Sequence, residues 1–211
     1  MGRREYLNQI AEVAADQGGY ITAAQAARTG VPHERLPELA AGGDLRRVRN
    51  GVYATRGVSV GPLEDTIAAW LSTERERYPW ERGGAAPNAV ISHRSAASIW
   101  GLGTIIPELP ALTTARSARP GRGIEFHRLS VANDDWRWWR PEGGPDLPVT
   151  TPARTIVDLL IEREEPSYIE RAIREAAARG LASEAELLDA VLRRRSRNRS
   201  LVDTLARMAA G

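Results

Sequence analysis

The chain has 211 residues, with 29 basic and 27 acidic side chains and a formal net charge of +2. Every basic residue is arginine and there is no cysteine, which excludes disulfides, thiolate metal sites, cysteine nucleophiles, a phosphate-loop lysine, a Schiff base and any nuclease centre that pairs acids with lysine. No run of about 18 apolar residues occurs and no hydrophobic segment follows a basic N-terminus, so a membrane span and a signal peptide are not expected, and a cytoplasmic setting is.

The isoelectric point near 9.4 says little about partners. Few groups titrate between the carboxylates and the guanidiniums, so a small positive excess drives the value far upward. Local clusters of arginine are more informative than the total.

Arg4–Gln17 places Tyr6, Leu7, Ile10, Val13 and Ala14 on one helical face and stops at Gly18-Gly19. Tyr20-Ile21 reads as a short strand. Thr22 is positioned to cap a helix through Ala23–Arg28, which Gly30 ends. A second helix falls within His33–Ala41, shortened by Pro37, with Leu36, Leu39 and Ala40 facing inward. Leu45–Arg49 and Val52–Thr55 flank Asn50-Gly51, the signal of a two-residue hairpin. Helix, turn, helix, basic hairpin is the order of a winged helix-turn-helix, whose second helix enters the major groove while the hairpin reaches the backbone. Arg46, Arg47 and Arg49 on that ribbon suit phosphate oxygens. Arg35 and His33 stand nearest the bases, and Thr22 and Gln25 are candidates for backbone contact. Glu34 and Glu38 on the same helix repel phosphate, so base readout is expected to be thin.

Arg56–Gly61 reads as a linker, Pro62 as the first residue of a helix, and Glu81–Asn88 as a loop. Ser92 is expected to cap a helix through Trp100 that Gly101 closes. Leu109–Thr114 and Gly123–Leu129 have strand composition, separated by the basic loop Ala115–Arg122. Asp134–Arg140 alternates as a strand, with Trp136 and Trp138 on one face and Trp139 on the other. Leu147–Thr150 is a short strand, and Thr151-Pro152 opens an apolar helix. Tyr168–Arg179 is helical, Ser183 and Glu186 form a capping box for a helix to Arg193, and Leu201–Met208 adds a short last helix. The expected fold is therefore α+β: an N-terminal winged helix-turn-helix in residues 1–56, a linker at 57–61, and a larger mixed α/β domain in residues 62–211 with a helical C-terminal third.

Two segments carry a family resemblance. GGYITAAQAARTGVPHERLPELAAGGDLRRVRNGVYA resembles the winged-helix domain of AbiEi-type antitoxins, the antitoxin partners in abortive-infection toxin–antitoxin systems. AVISHRSAASIWGL and LPVTTPARTIVDLL look like the two signature segments of the same family's C-terminal domain. The resemblance implies a transcriptional autorepressor that binds double-stranded operator DNA of its own operon, and an antitoxin that counteracts a nucleotidyltransferase-type toxin. The family's recognition helix is usually more basic and lacks an interior proline. A protein-interaction module whose winged helix no longer binds DNA specifically is the alternative.

Other clusters have plainer readings. Ser92, His93, Ser95, His127 and Asp158 suggest a hydrolase, yet no nucleophile-elbow motif is present. Three scattered histidines without cysteine do not suggest zinc, and neither a metal nor a cofactor is expected. Trp136, Trp138 and Trp139, interleaved with Arg137 and Arg140, suit a partner-binding patch, single-stranded nucleic acid, or plain core packing. Arg154 and Asp158 are spaced for an i, i+4 ion pair. The run Arg193–Arg199 is a solvated stretch or an extra phosphate clamp.

Overall fold

The computed structural model describes residues 2–82, 87–115 and 123–194. Chain contacts group Met1–Asn88 with Trp138–Leu147 into one compact unit, and Ala89–Arg137 with Pro148–Gly211 into another.

The first unit begins with α1 (Arg3–Ala15), β1 (Tyr20–Thr22), α2 (Ala23–Arg28), α3 (Arg35–Ala41), β2 (Leu45–Arg49) and β3 (Val52–Thr55). The strands form an antiparallel sheet of order β1-β3-β2. Ile10, Ala14, Ile21, Ala26, Val31, Leu36, Leu39, Leu45 and Tyr53 make its buried core, so each helix contributes the face its periodicity marks. This is the expected winged helix-turn-helix. Pro37 is the third residue of α3, in the first turn, where the missing N–H has no intrahelical acceptor to lose.

The unit extends past the expected boundary at residue 56. A fourth helix, α4 (Glu64–Thr73), packs on all three strands, so the segment expected to open the second domain completes the first. It starts at Glu64 rather than Pro62. The loop expected from Glu81 begins instead as a 3-10 turn, Pro79–Arg82. There the buried Arg82 guanidinium donates to the carbonyls of Trp70 (3.0 Å), Leu71 (2.9 Å) and Glu74 (2.7 Å) and stacks 4.3 Å over the Trp70 ring. A guanidinium thus satisfies the carbonyls left open at the end of α4.

The second unit holds β4 (Val90–Ile91), α5 (His93–Trp100), β5 (Ala111–Thr114), β6 (Glu125–Arg128), α6 (Pro152–Ile161), α7 (Pro166–Ala178) and α8 (Glu184–Arg193). With β7 (Trp136–Trp139) and β8 (Leu147–Thr150), the strands form a sheet of order β6-β5-β4-β8-β7. The β4–β8 and β5–β6 pairs are parallel and β4–β5 is antiparallel. β8 and the capping box of α8 fall where local chemistry places them. The expected helix at Leu201–Met208 and the loop at 116–122 lie outside the described residues.

Helix α6 touches α5, α7 and α8 and is buried from Pro152 to Leu160. A helix enclosed on all sides cannot hide its polar residues on an outer face. Arg154 and Asp158 therefore meet inside the protein: Arg154 Nε donates to both Asp158 oxygens at 2.9 Å and Nη1 to Asp135 Oδ2 at 2.8 Å. Arg193 Nε reaches Asp135 Oδ1 (2.7 Å) and Arg194 Nε reaches Asp158 Oδ1 (2.8 Å). The first two arginines of the C-terminal basic run are thus structural ties and not a phosphate clamp. Arg195–Arg199 lies outside the described residues.

Candidate functional site

The wing does not present its arginines as simple alternation implies. A bulge interrupts the β2–β3 ladder between Arg47 and Arg49. One extra residue moves every later side chain to the opposite face. Arg49 therefore shares a face with Arg46, against the acidic first turn of α4, and Arg47 is left on the other. Arg46 makes two hydrogen bonds to Glu64 (2.5 and 2.7 Å), and Arg49 Nη1 donates to Asp65 Oδ1 at 3.1 Å. Glu64 is only 13% exposed and Arg49 only 15% at the side chain. The expectation that all three wing guanidiniums grip phosphate is corrected: Arg46 and Arg49 are held by the protein's own carboxylates.

Arg47 is exposed and donates to Asn50 Oδ1 at 2.9 Å. The guanidinium of Arg75, from the segment after α4, stands beside Gly51, 3.7 Å from where a Cβ would be. Among the described residues neither arginine meets a carboxylate. Arg75 was not singled out from sequence. It lies 24 positions from the turn it flanks, and no local signal links the two.

Thr22 and Gln25 are buried and contact no solvent, which corrects their assignment to DNA backbone. They form a complete capping box: Thr22 Oγ1 accepts from the Gln25 N–H and Gln25 Oε1 accepts from the Thr22 N–H. Thr22 Oγ1 also donates to the Arg75 carbonyl, and Gln25 Nε2 to the Arg77 carbonyl at 2.9 Å. On α3 the exposed residues include His33 just before it, Arg35 and Glu38. Arg35 is engaged by Glu38 at 2.6 Å. The outer face of this helix offers phosphate little net positive charge.

The tryptophan patch is divided. Arg137 lies 4.4 Å over the Trp100 ring, Trp136 and Trp139 are half-buried, and Trp138 is exposed. Within the first unit Trp138 lines a cleft of about 800 Å³ with Trp80, Arg140 and Asp146.

In the second unit the structure brings together residues far apart in sequence. Thr113 pairs with Val90 on one side and His127 on the other, so β6 sits two strands from the start of α5. His93 and His127 stack with ring centroids 3.4 Å apart and planes 11° from parallel. His93 is 2% exposed, and burial pushes its imidazole down to about 3, against the opposing pull of Asp158. It is also a non-glycine residue with φ +49°. Ser92 caps nothing with its side chain; its Oγ meets His93 Nδ1 at 2.9 Å and accepts from Thr113 Oγ1 at 2.7 Å. No hydrolytic relay results, because Asp158 is committed to Arg154 and Arg194 while the His93 ring nitrogen opposite Ser92 bonds to nothing among the described residues.

The three-stranded sheet, paired helices and arginine-bearing hairpin define the first unit as a winged helix-turn-helix of the kind found in transcription regulators. Residues 8–56 match the family described as "Transcriptional regulator, AbiEi antitoxin", which bears out the resemblance read from that segment. The whole chain is similar to the solved structure titled "Crystal structure of RV2827C protein from Mycobacterium tuberculosis", with a TM-score of 0.62 and 14% identity over 98% of this chain and 76% of that one. At that identity the likeness is one of fold. No curated protein matches the sequence. No helix among the described residues is long and apolar enough to cross a membrane.

Proposed function

We propose that the protein is a non-enzymatic antitoxin that represses its own operon by holding operator DNA through the tip of the wing. The observation that carries this is the presence at the Asn50-Gly51 turn of two exposed arginines, Arg47 bonded to Asn50 and Arg75 beside Gly51, on a domain whose sequence matches an antitoxin regulator family. Two exposed guanidiniums at the tip of a ribbon suit phosphate oxygens, with His33 and Arg35 as the nearest groups to base edges. Such an interface gives modest, strongly salt-dependent affinity with little base discrimination. The second unit is assigned to counteracting a nucleotidyltransferase-type toxin in the cytoplasm.

The test is a gel-shift with the DNA upstream of the gene. Replacing Arg47 and Arg75 together with alanine is expected to abolish retardation and, where binding persists, to reduce the salt slope by roughly two counterions. Unchanged affinity would remove the wing tip from the interface.

The acidic character of α3 favours a second reading, in which the protein neutralises a toxin without binding DNA specifically. It predicts equal retardation of operator and unrelated duplex, with toxin neutralisation intact in the Arg47→Ala/Arg75→Ala variant.

A further inference from the structure

We propose that His93, His127 and Glu162 form a binding site for a divalent transition-metal ion of the zinc class. One donor atom from each residue lies within 4.8 Å of the other two. The strongest sign is His93 itself. It is buried, its Nδ1 is engaged by Ser92 Oγ, and its Nε2 has no hydrogen-bond partner among the described residues. Native proteins seldom leave a buried ring nitrogen without a partner, and a metal ion is one of the few species that satisfies a lone pair there.

The surroundings have the form of a supported ligand set. The Ser92 hydroxyl, which Thr113 holds in turn, engages Nδ1 of His93 and leaves Nε2 as the ring nitrogen open to an ion. His127 has Nδ1 facing Glu162 Oε1 at 3.6 Å and Nε2 facing Glu125 Oε1 at 3.4 Å. The first nitrogen is placed to ligate beside Glu162, while the second, like His93 Nε2, is buried without a hydrogen-bond partner among the described residues. Bonds of about 2.0–2.2 Å set tetrahedral zinc ligands roughly 3.3 Å apart, close to the His127–Glu162 separation. The stacked rings, 3.4 Å apart and 11° from parallel, must tilt so that both nitrogens point at one ion, and Glu162, an exposed side chain at the C-cap of α6, closes the remaining distance. Two imidazoles and a carboxylate without thiolate favour zinc or a neighbouring first-row metal over magnesium or calcium. Glu125 and Glu162 also line a cleft of about 310 Å³.

This site rests on the second unit alone and does not depend on the DNA-binding reading. The experiment is calorimetric titration of the tag-free, chelator-stripped full chain with zinc chloride, paired with visible spectroscopy of cobalt(II) added to the same protein. One equivalent of zinc is expected to bind, and cobalt is expected to develop the absorption bands of a low-coordinate nitrogen–oxygen site. His127→Asn and Glu162→Gln should each weaken binding at least about tenfold. His33→Asn, which removes the third histidine from the other unit, should leave it unchanged. Glu162 is exposed, so its variant keeps the fold even if a histidine variant does not, and circular dichroism without metal verifies this. No saturable zinc binding tighter than about 100 µM, or parental binding by Glu162→Gln, would overturn the proposal and leave the stacked histidines as core packing.

Discussion

Arg46 closes on Glu64 through two hydrogen bonds of 2.5 and 2.7 Å, so a guanidinium that the sequence places on a DNA-facing ribbon is an internal tie between β2 and α4. Arg46→Ala is therefore expected to cost stability, about 1 kcal/mol given the partial exposure of the pair, while changing duplex affinity less than twofold. Arg47→Ala should do the reverse: little loss of stability and a salt slope lowered by about 0.9. Fluorescence anisotropy against salt concentration, set beside urea unfolding, separates the two. Equal loss of affinity in both variants would mean that the Glu64 pair opens when DNA binds.

Asp158 accepts from Arg154 and Arg194 inside the second unit. Asp158→Ala leaves the buried Arg154 without its main counter-charge, and its Nη2 already has no hydrogen-bond partner among the described residues. Removing one partner of a buried pair costs roughly 3–5 kcal/mol. Urea denaturation is expected to show a loss of that order, little affected by added salt. A loss below about 1 kcal/mol would show that water reaches the array.

Arg28 holds Glu81 with two hydrogen bonds of 2.6 and 2.7 Å, and the Tyr78 N–H adds a third at 2.9 Å. The Arg28 bonds first, then the backbone donor, lower the Glu81 carboxyl from 4.5 to about 2. A carboxylate with a depressed folded pKa contributes its stability fully above its unfolded value, and loses it as pH falls from there through the folded value. The Arg28–Glu81 tie should thus persist at pH 4 and fail only near pH 2. Carboxyl carbon chemical shifts followed by NMR would give the midpoint, and Arg28→Ala should move it back toward 4.5.

Gly18 has φ +67°, and a Cβ there would lie 2.6 Å from both the Gly143 carbonyl oxygen and the Gly144 Cα. Neither obstacle is a flexible side chain. Gly18→Ala combines a strained backbone with a backbone clash and should destabilise by roughly 1–3 kcal/mol, whereas Gly30→Ala meets open space and carries only the conformational penalty. Thermal unfolding of both variants makes the comparison, and equal melting temperatures would count against this packing.

Features governed by neighbouring residues were legible in the sequence. Ser183 and Glu186 cap α8, Thr151 and Pro152 open α6, and the hydrophobic spacing of α1 to α3 gives the core of the winged helix. Features governed by distant partners were not. The bulge in β2 turns Arg49 toward Asp65, and strand alternation has no means of counting through an inserted residue. Ser92 has the sequence of a cap, but its hydroxyl is taken by His93 and by Thr113, 21 positions away. His93 and His127 looked scattered because parallel pairing of β5 with β6 carries no turn signature to announce it. Thr22 was correctly read as the cap of a helix, and both Thr22 and Gln25 were wrongly read as facing outward.

The hold of Thr22 and Gln25 on the carbonyls of Arg75 and Arg77, with Trp138–Leu147 counted in the same unit, has a practical corollary. No single scission of the polypeptide yields an intact N-terminal fragment, because that fragment draws on two stretches separated in the chain by residues 89–137. A truncation ending at residue 56 would strip the sheet of α4 and leave buried amide and hydroxyl groups without acceptors, so its behaviour would report misfolding. Repression and neutralisation are better disentangled with single surface replacements in the full-length protein.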